Sequence, residues 1–282
     1  IRRPPRSTQS RSSAASDVYK RQNLRCVMGS HLGERNLQHR VWCVFRCAAQ
    51  SYYDFFHNVG RPLEALTRVM HIPDEFFDLL AAARRRRRGL VVLATHHANF
   101  DLAGLVIAAR GLPVQVLSLA DPGPGFRMLN QLRTTGSMYV TPISAESLRT
   151  AVRNLASGGT VITGIDRPVP GDRQLVEFFG RPAYLPAGPI RLALMADVPV
   201  LLASCTAGEG GVYHLKVSGP FDLVRTGNRQ EDVLVNFRRV IQVLEEHVRA
   251  FPEQWLMFHR VWPDLPTGSA GGPTGHNAVS TL

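Results

Sequence analysis

Short apolar runs alternate with amphipathic stretches through the middle of the chain. The runs are rich in β-branched residues, as buried strands are, and lie at 90–95, 114–118, 138–141, 160–164 and 199–204. Amphipathic stretches with helical spacing follow the first, second and third runs, at 101–110, 124–135 and 145–157, and a helix over 188–197 precedes the fifth run. Strands and helices in this alternation predict βαβ units. The expected fold class is therefore α/β, with a largely parallel central sheet flanked by helices.

Helical spacing also precedes and follows this alternating region. Residues 36–57 predict an N-terminal helical segment, because apolar residues recur there every three to four positions. A second helix is predicted over 74–87, where Pro73 and Asp74 form a start signal. Residues 212–218 alternate as an edge strand would, and 229–250 present one apolar face.

The two ends of the chain have a different composition. Residues 1–22 hold six basic residues and one acidic residue among serine and proline, so they account for +5 of the net charge. Such a segment lacks the apolar surface needed to fold. We expect residues 1–25 to be disordered and artefactual, 26–264 to form a single domain, and 265–282 to be a flexible tail.

Charge and cysteine content restrict the function classes. The chain has 33 Lys+Arg against 22 Asp+Glu, a net charge of +11, which suits an anionic membrane surface or a nucleic acid. The run from Arg84 to Arg88 is either a solvated helix end or a contact for acidic head groups or an acyl carrier. The four cysteines match no zinc-site spacing and fit a reducing compartment. The chain contains no run of 18 apolar residues, so the sequence predicts no membrane-spanning helix.

The first apolar run ends in two adjacent histidines, His96 and His97. Ligands bind at the carboxyl ends of strands in parallel α/β sheets, so His96 stands where chemistry is expected. Asn99 is the predicted N-cap of the next helix, which places Asp101 in its first turn. Asp101 is then expected to accept a hydrogen bond from one ring nitrogen of His96 and leave the other as a general base. The alternative is a strand-end histidine beside a helix-start aspartate, without a catalytic role.

Several other chemistries lack their sequence patterns. The chain has no G-x-S-x-G elbow, no phosphate-binding G-x-x-x-x-G-K-[ST] loop and no G-x-G-x-x-G fingerprint. A base without its own nucleophile must activate a nucleophile on the substrate. Among the reaction classes considered, transfer of a group onto a substrate hydroxyl or amine is the one that remains.

Four blocks then occur in a fixed order. They are ATHHANFDLAG at 94–104, GIDRPVPG at 164–171, VEFFGRPAYLPAGPIRLAL at 176–194 and PEQWLMFHRVWPD at 252–264. Together they resemble the bacterial lipid A biosynthesis lauroyltransferase family and its relatives that acylate phosphatidylinositol mannosides. The chain departs from many lipid A members, which have glutamate where Asp101 stands, and from members that begin with a membrane-anchoring helix.

The resemblance implies an O-acyltransferase of the lysophospholipid acyltransferase-like superfamily. It would move a fatty acyl chain from an acyl carrier protein or coenzyme A thioester to a hydroxyl of a membrane glycolipid. No other cofactor, no metal and no nucleic acid is implied. His96 would be the general base and Asp101 its partner. The expected location is the cytoplasmic face of the bacterial inner membrane, either peripheral or through an N-terminal anchor that this sequence lacks.

Further site residues follow from the remaining blocks. Glu177 is either a second catalytic carboxylate near His96 or a solvated loop residue. Arg167 either binds a phosphate or thioester carbonyl, or forms an ordinary ion pair with Asp166. We assign both residues to substrate binding, together with two others, Arg181 and Gly188. Gly188 lies at a helix start whose backbone N–H groups suit an oxyanion or a phosphate.

Two alternative functions remain open. A glycerophospholipid acyltransferase keeps the fold but changes the acceptor, and the FFGRPA and PEQW blocks argue against it. A non-catalytic basic protein that binds membranes or nucleic acid rests on net charge alone, and no nucleic-acid-binding motif supports it.

Overall fold

The computed structural model describes residues 6–29, 32–120, 123–134, 136–169 and 171–263, with side chains described from residue 17 onward. The helices are α1 Arg6–Met28, α2 Glu34–Asn58, α3 Leu63–Val69, α4 Asp74–Arg85, α5 Phe100–Ala109, α6 Pro124–Arg133, α7 Ala145–Ala156, α8 Gly188–Ala196 and α9 Arg229–Ala250. The strands are β1 Met70–His71, β2 Leu90–Ala94, β3 Val114–Ser118, β4 Met138–Pro142, β5 Thr160–Gly164, β6 Gln174–Phe178, β7 Arg181–Leu185, β8 Val200–Ala207 and β9 Tyr213–Phe221.

Seven of these strands form the central sheet, in the order β1-β9-β8-β2-β5-β3-β4. Neighbouring strands are parallel except β8 and β9, which pair antiparallel. The predicted α/β class with a largely parallel sheet and an N-terminal helical segment is confirmed. The stretch predicted as an edge strand at 212–218 became β9, which lies one strand inside the edge because β1 pairs beyond it.

Helices cover both faces of the sheet because successive strand side chains point to opposite sides. In β2, Val91 and Leu93 pack with α7, α8 and α9 in one core cluster. Leu90 and Val92 pack with α3, α4, α5 and α6 in the other. A strand buried on both faces reads as a continuous apolar run, which is how 90–95 appears in the sequence.

Most predicted elements begin and end within two residues of the observed ones, including α2, α9 and the strands β2 to β5. The antiparallel hairpin β6–β7 was not predicted. Its alternation buries Val176, Phe178, Ala183 and Leu185 against the first core cluster. Sequence reasoning missed it because the FFGRPA block was considered only as a motif.

The N-terminal segment differs most from expectation. Residues 1–25 were expected to be disordered, but the structure has helix α1 from Arg6. Lys20, Asn23 and Leu24 are almost fully buried. That expectation is wrong for the described part of the segment, because three side chains from one helix face find partners that composition cannot show. The predicted tail at 265–282 lies outside the described residues.

Candidate active site

The register between β2 and β5 brings two predicted site residues together. The two parallel strands pair from Leu90 opposite Thr160 to Ala94 opposite Gly164. His96 and Asp166 each follow the end of their strand by two residues, so they meet at the carboxyl edge of the sheet. The distance between His96 Nδ1 and Asp166 Oδ1 is 2.6 Å. The orienting carboxylate of His96 is therefore Asp166.

Asp166 is fully buried and accepts three hydrogen bonds. Besides the His96 ring, the backbone N–H of His96 donates to Oδ2 at 2.8 Å, and the Trp255 indole Nε1–H donates to the same oxygen at 2.8 Å. Burial raises the pKa of Asp166, but the charge of His96 and these hydrogen bonds outweigh it and lower the pKa to about 2. The carboxylate therefore stays ionised at neutral pH.

The other side of the His96 ring faces a cavity. Its side chain is 26% exposed, and its ring contacts the Phe100 ring at 5.4 Å between centroids. Gly164 leaves room for the ring, because a Cβ there would lie 3.3 Å from His96 Cε1. Among the described residues nothing hydrogen-bonds His96 Nε2. This nitrogen is available to a substrate.

Asp101 does not orient His96, so the predicted pairing is wrong. Its two carboxylate oxygens accept from Arg133 Nε and Nη2 at 2.7 and 2.9 Å. The helix start was predicted correctly, since the Asn99 side chain accepts from the Leu102 N–H at 3.1 Å. In the first turn of α5 the Asp101 side chain meets Arg133 at the end of α6, and it therefore braces two helices beside the cavity.

The neighbouring His97 is part of the core. It is completely buried, and its Nδ1 lies 2.8 Å from Thr95 Oγ1. Burial lowers the pKa of His97 to about 3, so the ring is neutral at physiological pH. Among the described residues His97 has no carboxylate partner, whereas His96 has Asp166 and not the predicted Asp101.

A cavity of about 920 Å³ opens beside His96. Much of its wall is apolar and consists of buried residues from α4, α5 and the central sheet: Phe76, Val92, Leu105, Ile107, Met138, Cys205 and Leu215. Polar side chains also line the cavity: Ser51, Tyr52, Asp101, Asn130, Arg133, Arg167 and His259. The volume lies within the range of small-molecule sites, and the apolar wall suits a hydrocarbon chain.

Arg167 lies in this cavity, as its predicted substrate-binding role requires. Its guanidinium lies over the Phe126 ring, 5.6 Å from the centroid. Within the described chain no carboxylate is within ion-pair distance of it, so the simple ion pair with Asp166 is not formed. Burial lowers the pKa of Arg167, although the charge of Asp166 opposes that change. A partly desolvated arginine suits a phosphate or carbonyl oxygen.

Gly188 also lines the cavity, but its N–H is occupied. Asp172 Oδ2 accepts from it at 2.7 Å, and Asp172 Oδ1 accepts from Arg191 Nη1 at 2.7 Å. A Cβ at Gly188 would lie 2.5 Å from that carboxylate oxygen. The predicted oxyanion or phosphate contact is therefore not available in this arrangement, because a side-chain carboxylate already fills it.

Two predicted site residues lie away from the cavity. Glu177 and Arg181 are on β6 and β7, and both side chains are exposed. Neither lines the cavity. The predictions of catalysis for Glu177 and substrate binding for Arg181 are therefore wrong in this structure. Strand alternation turns Glu177 away from the buried face of β6, whereas Arg181 is the exposed first residue of β7, opposite Phe178.

Over the residues that the structure describes, no group of three or more His, Cys, Asp or Glu side chains is arranged to hold a metal ion. Nor does any helix there have the length and apolar character to cross a bilayer.

Comparison with known proteins identifies the family. The model for bacterial lipid A biosynthesis acyltransferases matches residues 14–263. The chain belongs to this family. The resemblance seen in the four sequence blocks is confirmed.

Two curated relatives are phosphatidylinositol mannoside acyltransferases from Mycobacterium tuberculosis strains. One, from strain CDC 1551 / Oshkosh, is 24% identical over 189 residues, and the other, from strain ATCC 25618 / H37Rv, is 25% identical over 198 residues. Each alignment covers 66% of this chain and 58% of the relative. The match thus spans little more than half the length of these relatives.

Sequence reasoning missed three site features of this family member. Trp255 and Arg133 were given no site role, and Asp166 was given a substrate-binding role. A signal for Asp166 existed, because it follows its strand by two residues, as His96 does. Trp255 and Arg133 had no such signal, since their contacts come from distant parts of the chain.

Proposed function

We propose that the chain is an O-acyltransferase that moves a fatty acyl group from a thioester to a hydroxyl of a membrane glycolipid. One observation carries this proposal. His96 lies beside a large, mostly apolar cavity, with Nδ1 bonded to the buried Asp166 and Nε2 left for a substrate. Family membership agrees with this chemistry.

The proposed step begins with proton transfer. His96 Nε2 takes the proton of the acceptor hydroxyl while the oxygen of that hydroxyl attacks the thioester carbonyl carbon. The C–O bond forms, the C–S bond breaks, and the leaving sulfur takes the proton from the imidazolium. The ionised Asp166 fixes the tautomer of His96 and stabilises the imidazolium between these events. A base of this kind contributes about 10²–10⁴-fold in rate.

The cavity accounts for the donor. Its apolar wall fits the acyl chain, and Arg167, which forms no ion pair among the described residues, lines the same cavity as His96. Thioesters of acyl carrier protein and of coenzyme A both carry phosphate groups, which guanidinium groups bind well. The thioester is a co-substrate, and we propose no resident cofactor.

The acceptor is proposed from the comparisons. The family description names lipid A biosynthesis, and the relatives are named for phosphatidylinositol mannoside. We therefore propose a glycolipid of one of these two types as the acceptor.

The test is a transfer assay. Purified protein is incubated with radiolabelled palmitoyl-coenzyme A, or with the same acyl group on acyl carrier protein, together with total bacterial lipid. Label in a glycolipid, absent with His96→Ala, supports the proposal. Label in a glycerophospholipid indicates the alternative acceptor, and no transfer with either donor contradicts the proposed activity.

We also propose peripheral docking to a membrane through α2. Its solvent side carries exposed aromatic residues in both halves of the helix, and Trp42, Tyr53 and Phe56 are 53%, 64% and 48% exposed. Tyr52 of the same helix lines the cavity. A row of exposed aromatic side chains beside basic residues is typical of helices that lie in a bilayer interface. Docking there would place the cavity beside the lipid acceptor.

The arginine run has a different position. Arg84 to Arg88 end α4 and immediately precede β2, so they lie at the amino edge of the sheet, opposite His96. A membrane bound there would be remote from the cavity. The run therefore does not serve the docking proposed here.

Sedimentation with vesicles of phosphatidylglycerol and phosphatidylethanolamine tests the docking surface. Replacing Trp42, Tyr53 and Phe56 together by serine should lower the bound fraction about tenfold, because apolar area is lost. The control replaces Arg84, Arg86 and Arg88 by glutamine and should bind nearly as wild type does. The opposite ranking would assign docking to the arginine run.

A further inference from the structure

The indole of Trp255 is buried and contacts the His96–Asp166 pair at Asp166. Trp255 is 1% exposed, and its ring packs against Phe178 and Trp262 with centroids 6.1 and 6.3 Å apart. Its Nε1–H donates to Asp166 Oδ2 at 2.8 Å. The ring is thus confined on its sides while its one polar atom points at the carboxylate.

The backbone around Trp255 is tied to the loop that carries His96. The Leu256 N–H donates to the His96 carbonyl oxygen at 2.7 Å, and the Ala98 N–H donates to the Gln254 carbonyl oxygen at 2.8 Å. The segment therefore touches the catalytic pair in two ways, through the His96 backbone and through the Asp166 side chain.

Helix α1 supports the same segment from behind. Lys20 Nζ donates to the Trp255 carbonyl oxygen at 2.7 Å. Asn23 Nδ2 donates to the carbonyl oxygens of Met257 and His259 at 3.1 and 2.9 Å. Both side chains are 1% exposed. Burying polar side chains costs free energy unless they are hydrogen-bonded, so their placement on three carbonyl groups of one segment is specific.

We propose that Trp255 is a positioning residue for the His96–Asp166 pair, held in place by Lys20 and Asn23 of α1. The proposal rests on the proposed function of His96 as the base. Asp166 Oδ1 faces the His96 ring, and Oδ2 accepts both from the His96 backbone N–H and from the indole. The indole donor on Oδ2 helps to fix the plane of the carboxylate, and the packed ring keeps the donor there.

Without the indole, His96 itself would supply both remaining donors to Asp166, through its ring and its backbone N–H. Among the described residues, the indole is the one donor to this carboxylate from outside the loop that carries His96, and Trp255→Phe would remove it. We therefore expect a loss in the chemical step more than in substrate binding.

The test compares two buried tryptophans. Trp255→Phe removes the donor to Asp166. Trp262→Phe is the matched control, because Trp262 is 3% exposed, lies in the same aromatic cluster and donates its Nε1–H at 2.9 Å to the Phe178 carbonyl oxygen instead. With palmitoyl-coenzyme A as donor, Trp255→Phe should lower kcat about 10- to 100-fold with KM little changed, as expected for a lost hydrogen bond to a charged group. Trp262→Phe should keep kcat close to wild type.

A spectroscopic readout does not depend on activity. The proton between His96 Nδ1 and Asp166 is followed by ¹H NMR and assigned by its loss in His96→Ala. In Trp255→Phe this resonance should change in position or width, whereas Trp262→Phe should leave it unchanged. If wild type transfers no acyl group, the proposed function fails while this comparison still decides the positioning role.

Lys20→Met probes the support from α1 and decides the proposal if Trp255→Phe does not fold. It keeps the length of the side chain but removes the donor to the Trp255 carbonyl group. We expect a loss in kcat of about 3- to 10-fold, with the same NMR change in milder form. Equal effects of Trp255→Phe and Trp262→Phe on both readouts, or an unaltered resonance and kcat in Lys20→Met when Trp255→Phe cannot be studied, would overturn the proposal.

Discussion

Two carboxylates beside the same cavity have opposite surroundings. Asp166 follows strand β5, is fully buried and holds the ring of His96. Asp101 lies in the first turn of α5, is 11% exposed and forms a two-bonded ion pair with Arg133. Both are pairs of short distance, yet only the first contains an imidazole ring, the side chain most often used as a general base.

The difference comes from the elements that carry them. A residue just beyond a strand is placed by the hydrogen bonds of the sheet, so His96 and Asp166 inherit the β2–β5 register. A first-turn helix side chain points away from its own axis, and Asp101 therefore meets the neighbouring helix α6. Sheet register brings His96 and Asp166 together, and helix packing brings Asp101 and Arg133 together.

The largest expected effect follows removal of the base. His96→Ala should lower acyl transfer by about 10²–10⁴-fold with little loss of folding, because the side chain is partly exposed and lies beside a cavity. The measurement is kcat in the labelled-thioester assay, with circular dichroism for folding. His97→Asn is the control and should cost much less transfer. Wild-type turnover in His96→Ala would remove this mechanism.

Substitution of the two carboxylates should lower kcat by different amounts. Asp166→Asn should lower kcat about 10²-fold or more, because the amide neither carries the charge nor favours the same His96 tautomer. Asp101→Asn should lower kcat less than about 10-fold, since it loosens Arg133 without touching His96. Should Asp101→Asn prove the more damaging change, the helix-start carboxylate would regain the orienting role expected from sequence spacing.

Acid should act on the Asp166 pair through stability. Its folded pKa of about 2 lies below the ordinary 3.8, so the folded protein binds fewer protons than the unfolded chain between these values. The stabilisation is complete above about pH 4 and is lost as the pH falls toward 2. The melting temperature of wild type should exceed that of Asp166→Asn by several degrees at pH 6, and the gap should narrow toward pH 2.5. A gap that widens in acid contradicts the assignment.

The smallest effect concerns Asp101 and Arg133 together. Urea unfolding of Asp101→Asn, Arg133→Gln and the double variant should show a coupling free energy of about 1 kcal/mol or more, as residues in one ion pair do. Asp101→Asn combined with Asp166→Asn should be nearly additive, since the two carboxylates share no hydrogen-bond partner among the described residues. Strong coupling in that second cycle would merge the two pairs into one network.

Part of the site was predictable from local patterns. The apolar run at 90–95 and the helix predicted to start after Asn99 placed His96 just beyond a strand end. The structure has His96 in the same place, between the end of β2 and the start of α5. The aspartate partner was not predictable from spacing, because strand order decides which loop lies beside His96. The predictions for Glu177 and Arg181 failed for a similar reason, since both residues lie on a hairpin that was not predicted and neither reaches the cavity.

The amino-acid sequence by itself determined the α/β class, most element boundaries, the family and the position of His96 at the end of a strand. These rest on periodicity and on ordered motifs, both of which act over short distances along the chain. Only the tertiary structure decided that β5 lies beside β2, that Asp101 binds Arg133 and that Lys20 supports Trp255. Lys20 and Trp255 are 235 residues apart, and their contact depends on how whole elements pack, which no local pattern records.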